Sequence, residues 1–200
     1  MYEDEDGILA VRLARASIDK SVLGKPIPEI DVPDKFLEDS GAFVTLNTYP
    51  AHDLRGCIGY PEPYFPLRDA LLRAAQGATR DPRFPRLRPE ELDKIVVEVS
   101  LLSPPRPMKA KNPKEYLSLV KIGVHGLIVE RGQFRGLLLP QVPVEYCWDA
   151  ETFLGHTCMK AGLFADAWLD GKTKLYSFTG EVFSEERPRG PVTRKVLDGA

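Results

Sequence analysis

The sequence predicts an α+β fold in which helices surround a mixed or antiparallel sheet, arranged as two unequal subdomains. Strand-like and helix-like patterns follow one another without the sustained alternation that is typical of a doubly wound sheet. The 18 prolines in 200 residues exceed the usual share of about 5% and predict many short elements joined by rigid turns. With 43% hydrophobic residues, the chain is able to form a core.

The first elements are a helix and a hairpin. Apolar residues recur at helical spacing over 7–20, and Gly24 marks the end of this helix. Three prolines in 25–34 predict an extended connector. The β-branched and aromatic residues of 42–49 and the segment LRGCIGY at 54–60 then predict two strands joined by a long loop.

A helix and a central strand follow. Pro66 is suited to the first turn of a helix, and leucines and alanines recur at i, i+3, i+4 and i+7 over 67–78. Two prolines in 81–85 force turns, and a short helix is predicted over 89–94. The segment IVVEVSLL at 95–102 is apolar on both faces, which is typical of a central strand.

The second half of the chain predicts a helix over 113–120, strands over 126–130 and 134–139, helices over 149–161 and around Trp168, and a strand over 174–183. Residues 184–200 carry charge and proline but few apolar side chains. They predict a mobile tail after a domain of residues 1–183.

The charge balance excludes a broad class of partners. Lys and Arg number 27 against 29 Asp and Glu, so the net charge is -2 and the whole chain does not attract nucleic acid or anionic membranes. No apolar run approaches the roughly 20 residues of a membrane span, and the acidic start is unlike a signal peptide, which predicts a cytoplasmic protein with no membrane partner. Three scattered cysteines predict reduced thiols and no structural metal. Nothing in the sequence identifies a cofactor.

The segment LRGCIGY contains the main candidate site. Arg55 and Cys57 are two residues apart in a predicted strand, so they share a face and lie about 6.6 Å apart along it. A guanidinium beside a thiol favours a nucleophilic thiolate, and Arg55 is suited to holding a carboxylate or phosphate. Gly56 and Gly59 indicate close approach of a ligand or of another backbone. A buried structural cysteine, a β-bulge and a structural ion pair remain alternatives.

Further candidate residues lie outside this segment. Glu98 within the apolar strand needs a partner, which we predict to be Arg55, and its role is either a structural pair or a general base. Cys57 and Glu98 are thus the catalytic candidates, and Gln141 and Lys160 are candidate ligand-binding groups that support Arg55.

A local basic patch surrounds Phe84 and allows an RNA-binding alternative. Neighbouring acidic side chains reduce its field, so a solvated or self-paired surface is favoured over RNA binding. The patch contains Arg80, Arg83, Arg86 and Arg88.

The motifs LRGCIGY, DPRFPRL with PEEL, EVSLLSPP, GLLLPQVPVE and FLGHTCMKAGL occur in an order that resembles the AMMECR domain family over Gly7 to Phe183. The resemblance is to the stand-alone archaeal or bacterial members. It implies a two-subdomain α+β fold and no settled activity, with an enzyme or an RNA-modification factor among the family-level suggestions. Tyr60 departs from the family's pattern, which usually has Thr or a similar residue after the second glycine.

Three functions remain open on these observations. The first is an enzyme that handles a small anionic or nucleotide ligand at Arg55 and Cys57. The second is an RNA-binding or RNA-modification accessory module that uses the arginine patch. The third is a non-catalytic adaptor that docks a protein partner on the glycine-flanked strand.

Overall fold

The computed structural model describes residues 2–195 and confirms the α+β class. The chain forms two compact units, of which the first contains residues 2–102 and Glu181–Lys195 and the second contains Ser103–Gly180. The strand Lys174–Glu185 crosses the boundary at Gly180 and therefore contributes residues to both units. Each unit has a hydrophobic core of its own.

The first unit contains helices α1 (Asp4–Leu23) and α2 (Leu67–Ala78), strands β1 (Ala42–Thr48), β2 (Leu54–Tyr60) and β3 (Ile95–Leu102), and 3-10 helices at Asp34–Phe36 and Pro89–Lys94. The second unit contains strands β4 (Arg106–Pro107), β5 (His125–Arg131) and β6 (Phe134–Leu138), helices α3 (Tyr116–Leu119), α4 (Gln141–Glu145) and α5 (Ala150–Lys160), and 3-10 helices at Pro113–Glu115 and Ala167–Leu169. Strand β7 (Lys174–Glu185) contributes to both units, and β8 (Val192–Lys195) belongs to the first.

Helix α1 begins earlier than the apolar pattern predicts. The backbone N–H of Glu3 donates to the Asp6 carboxylate at 2.7 Å. The acidic side chains of the first turn interact favourably with the positive end of the helix dipole. The helix ends at Gly24, whose φ of 71° lies in the left-handed region that glycine adopts without strain. The capping chemistry therefore extends the helix beyond its apolar segment.

The sheet of the first unit has helices on one face. Strand β1 pairs antiparallel with both β2 and β3, which leaves β2 at an edge. Val44 and Leu46 are fully buried opposite Val99 and Val97. They belong to the core that also contains the apolar residues of α1 and α2. The intervening residues of β1 are half-buried on the other face, as the two-residue period of a strand requires.

The C-terminal segment differs from the mobile tail predicted over 184–200. Within the described part of it, β7 continues to Glu185 and β8 pairs antiparallel with β7. Ion pairs hold this hairpin, including Arg194 with Asp4 and Glu181. Composition did not reveal it because backbone hydrogen bonds and charged pairs, rather than apolar burial, stabilise these residues. Residues 196–200 lie outside the described chain.

In the second unit, strands β5 and β6 pack against α5. Strand β5 pairs antiparallel with β6 and with the first part of β7. Leu127 and Val129 of β5 are fully buried in a cluster with Phe153, Leu154 and Trp168.

Across residues 2–195, no helix has both the length and the apolar character needed to span a bilayer.

Candidate functional site

The open edge of β2 is covered at Cys57 by the segment that follows α2. The Cys57 N–H donates to the Asp81 carboxylate at 2.9 Å, and the Cys57 carbonyl accepts from the Arg83 guanidinium at 3.2 Å. Both backbone groups of this edge residue are therefore satisfied by side chains instead of a further strand. The motifs LRGCIGY and DPRFPRL, which are distant in sequence, thus meet at one place.

Asp81 is the central group of this contact. Only 2% of its surface is exposed, and it pairs with Arg83 at 2.7 Å. The hydrogen bond from Arg83 lowers the pKa of Asp81 well below its usual range, with further lowering by the N–H groups of Cys57 and Arg83 that outweighs the effect of burial. Asp81 is therefore an ionised carboxylate with a structural role. A catalytic proton donor would have to be protonated near neutral pH, and Asp81 is not.

Arg55 occupies a β-bulge. Gly56 lies opposite Leu46 and Leu54 lies opposite Asn47, so Arg55 has no partner on β1. Its guanidinium makes a two-point contact with Glu91, at 2.9 Å and 3.2 Å. The bulge interrupts the regular alternation on which the predicted shared face of Arg55 and Cys57 depends.

Glu91 keeps its charge beside this arginine. Burial raises the pKa of Glu91, but the hydrogen bonds from Arg55 and from the Arg88 N–H outweigh it and leave the pKa below its usual value. The pairing of Arg55 predicted from the sequence is wrong, since its partner is Glu91 and not Glu98. The reason is topological: β1 lies between β2 and β3, so Arg55 and Glu98 are separated by a whole strand.

The Phe84 ring lies near two guanidinium groups. The Cζ atoms of Arg55 and Arg83 are 6.0 Å and 5.6 Å from its ring centroid, within the range of cation–π contacts. Arg83 pairs with Asp81, and Arg88 lies 3.4 Å from Glu90 and 3.7 Å from Glu91. The prediction of a self-paired surface is thus confirmed for these two arginines.

The two glycines of β2 leave space that the protein itself fills. A Cβ at Gly56 would lie 2.4 Å from the carbonyl oxygen of Ala78, at the end of α2. A Cβ at Gly59 would lie 2.3 Å from the ring of Phe43, the residue opposite it on β1. Close approach explains both glycines, and the approaching groups are a helix backbone and an aromatic ring.

A polar row crosses the sheet face that points away from α1 and α2; it consists of Cys57, Thr45, Glu98 and Lys195. Thr45 is directly opposite Cys57 on one side and Glu98 on the other. The Thr45 hydroxyl donates to the Cys57 sulfur at 3.3 Å, and Lys195 of β8 donates to Glu98 at 2.5 Å. Cys57, Thr45 and Glu98 are half-buried and Lys195 is exposed. The row places a thiol, a hydroxyl, a carboxylate and an ammonium on one surface.

Sequence reasoning missed two members of this row. Thr45 is not part of any sequence motif, and only its position opposite Cys57 in the strand register reveals its role. Lys195 lay in the segment predicted to be mobile. The two β-branched residues Val192 and Thr193 were the available signal for a strand there.

The remaining sequence-predicted site residues belong to the second unit. Gln141 is the half-buried first residue of α4, and Lys160 is the exposed last residue of α5. Four residues before Lys160, His156 stacks on Trp148 with ring centroids 3.8 Å apart and an interplanar angle of 7°. The roles predicted for Gln141 and Lys160 stay predictions. Within residues 2–195 no cluster of three or more His, Cys, Asp or Glu is placed to hold a metal ion.

The fold and the site define an α+β protein with a half-buried cysteine on an edge strand that a buried aspartate covers. Comparison with known proteins gives the family. The AMMECR1 family model matches residues 11–183. The chain therefore belongs to the AMMECR1 family, which confirms the resemblance found in its motifs.

Archaeal relatives match nearly the whole chain. Protein MJ0810 of Methanocaldococcus jannaschii is 55% identical over 194 residues, which cover 96% of each chain. Protein PH0010 of Pyrococcus horikoshii is 52% identical over 201 residues, covering 98% of this chain and 97% of the relative. The crystal structure of PH0010, described as an uncharacterized protein, has a TM-score of 0.83 and covers 97% of this chain and 98% of its own. These names state no activity.

Proposed function

We propose that the protein is an enzyme that acts on a small anionic molecule, such as a nucleotide, at the polar row, with Cys57 as the nucleophile. The observation that carries the proposal is the register of Cys57, Thr45 and Glu98, which are directly opposite one another on three neighbouring strands. The Thr45 hydroxyl donates a hydrogen bond to the Cys57 sulfur, and a hydrogen bond of this kind stabilises a thiolate.

Each member of the row has a role in this proposal. Two strand spacings separate Cys57 from Glu98, or about 10 Å, which a nucleotide-sized substrate spans. Glu98 is then the general base or acid at the far end of the substrate. Lys195 uses one N–H donor on Glu98, and its exposed ammonium has others for a negatively charged group of the substrate.

Arg55 takes a positioning role in place of the anion contact expected from the sequence. Its guanidinium is engaged by Glu91, and it lies in the bulge two residues before Cys57. Loss of the ion pair between Arg55 and Glu91 would remove a restraint on the backbone of the bulge and shift the Cys57 thiol relative to Thr45. The roles of Gln141 and Lys160 as supporting groups are not needed for the proposal.

The first experiment measures thiol alkylation residue by residue. The exposed Cys147 is an internal control for Cys57. We expect iodoacetamide to react about fivefold more slowly with Cys57 in the Thr45→Val variant than in the wild type, because the variant loses a hydrogen bond to the sulfur worth about 1 kcal/mol. The rate at Cys147 should be the same in both proteins. An unchanged rate at Cys57 would refute the role of Thr45.

The second experiment tests catalysis. Nucleotides and other anionic metabolites are screened by thermal shift, and each stabilising compound is then followed for chemical change by mass spectrometry. The Cys57→Ser variant should keep the thermal shift and lose turnover, because serine preserves the shape of the residue and is a much weaker nucleophile at neutral pH. Turnover that survives in Cys57→Ser would overturn the assignment of the nucleophile.

A further inference from the structure

A cavity lies in the first unit, and none of its lining residues belongs to the polar row. Its volume is about 750 Å³, within the range of roughly 300–1,000 Å³ that is usual for small-molecule sites. One face of α1 forms a wall, the proline-containing segment 25–30 forms another, and the turn between β7 and β8 forms a third.

A buried ion pair forms part of the cavity lining. Arg15 donates through Nε to Glu185 at 3.0 Å and through its two Nη atoms to the carbonyl oxygens of Leu92 and Ile95 at 3.2 Å and 3.0 Å. Glu185 also accepts the Val97 N–H at 3.0 Å. These charges are compensated within the protein, so the pair is a rigid structural element and not the anion-binding group.

A second compensated cation lies in the β7–β8 turn. Arg189 has a φ of 56°, and its guanidinium bridges Asp19 of α1 and Asp93 of the 3-10 helix at 2.8–3.0 Å. The bridge holds this turn against α1. Arg189 is therefore also satisfied without a ligand.

Two cations at the cavity remain uncompensated. Arg12 on α1 and Lys25 just after it both line the cavity and are exposed. Among residues 2–195, neither makes an ion pair or a side-chain hydrogen bond. Once the pairs of Arg15 and Arg189 are discounted, the lining has a positive charge of two in a chain whose net charge is -2. This local charge favours an anion.

The rest of the lining is largely apolar. Half-buried Ile8 and Ala16 project from α1, and half-buried Ile30 and Val192 come from the other walls. A ligand that covers these side chains gains the free energy of apolar burial. The cavity therefore combines an apolar surface with two donors of positive charge.

We propose that this cavity binds a small molecule with an apolar body and one anionic group, a carboxylate or a phosphate. The anionic group contacts Arg12 and Lys25 through charge-assisted hydrogen bonds, and the apolar body covers the walls. The site is separate from the polar row and does not depend on the enzymatic proposal.

The test is calorimetric titration with octanoate and octyl phosphate, against 1-octanol and acetate as matched compounds that lack the charge or the body. We expect both octyl anions to bind, with octanol at least about tenfold weaker because it lacks the charge-assisted contacts. Affinity should rise about threefold to fourfold per methylene from butanoate to octanoate. The comparison of the two anions shows whether carboxylate or phosphate is preferred.

Variants localise the site. Arg12→Gln and Lys25→Gln should each weaken octanoate binding by about tenfold. Arg80→Gln, which removes an exposed cation outside the cavity lining, should leave it unchanged. Ala16→Phe should reduce binding by filling the cavity without a change of charge, after circular dichroism has shown that the variant is folded. The proposal fails if octanoate and octyl phosphate give no binding at millimolar concentration, if octanol binds as tightly as octanoate, or if Arg12→Gln and Lys25→Gln both bind like the wild type.

Discussion

The carboxylate of Asp81 accepts a hydrogen bond from the backbone N–H of Cys57 at 2.9 Å. This contact satisfies the outward-facing N–H of an edge strand and fixes the backbone of the candidate nucleophile. The same carboxylate accepts two side-chain hydrogen bonds and one backbone hydrogen bond from Arg83. One buried residue therefore connects the stability of the sheet edge to the position of the thiol.

Removal of this carboxylate should destabilise the protein. The Asp81→Ala variant leaves the Cys57 N–H without its partner, and we expect the free energy of unfolding to fall by about 2 kcal/mol or more. Urea denaturation at pH 7 measures the change. Asp69→Ala is a matched control, because the pair of Asp69 with Arg68 is exposed, and should change stability by less than about 0.5 kcal/mol. Equal losses in the two variants would contradict the role of Asp81.

The contribution of Asp81 should depend on pH in one direction. Its pKa is lowered in the folded protein, so the folded state resists protonation of this group more than the unfolded state does. The difference in unfolding free energy between wild type and Asp81→Asn should be constant above the unfolded pKa of about 3.9 and should shrink as the pH falls below it. Denaturation curves from pH 7 to pH 2.5 test this. A difference that grows on acidification would contradict the assignment.

The space at Gly56 is closed by α2. Gly56→Ala places a Cβ 2.4 Å from the Ala78 carbonyl oxygen, so the strand or the helix end must shift, at a cost of about 1–3 kcal/mol. Thermal unfolding of this variant should show a lower Tm than the wild type. Gly171→Ala is the control, because no atom lies within 4 Å of its added Cβ. A Tm for Gly56→Ala equal to that of Gly171→Ala would show that this close approach is absent.

The three cysteines should differ in reactivity. Burial raises the pKa of Cys158 to about 11, and its side chain has no exposed surface. At pH 8 the thiol is therefore protonated and inaccessible, whereas Cys147 is exposed. Mass spectrometry after iodoacetamide treatment should find Cys147 modified and Cys158 unmodified until denaturant is added. Labelling of native Cys158 at the rate of Cys147 would contradict its burial.

Local patterns predicted the helices and strands of the first unit up to Leu102 with small errors. The apolar spacing over 67–78 coincides with α2, and the predicted strands over 54–60 and 95–102 coincide with β2 and β3. These segments have a strong period and clear breakers, so local chemistry and tertiary packing favour the same structure. The helix over 7–20 was predicted too short because its charged first turn carries no apolar pattern.

The candidate site was only partly predictable. The sequence identified Cys57, Glu98 and the segment around Phe84 as chemically informative. It did not reveal the bulge at Arg55, because a bulge depends on register with β1, which no local pattern encodes. The partner of Arg55 was therefore predicted wrongly, and the members of the polar row that come from β1 and β8 were missed.

The sequence by itself determined the α+β class, the positions of the periodic helices and strands, and the family, because these properties follow from local spacing and from ordered motifs. Only the tertiary structure decided that Asp81 covers the edge of β2, that Thr45 lies between Cys57 and Glu98, and that Lys195 pairs with Glu98. These are contacts between residues far apart in the chain. Their geometry is set by strand register and by the packing of whole elements, which the order of the residues does not display.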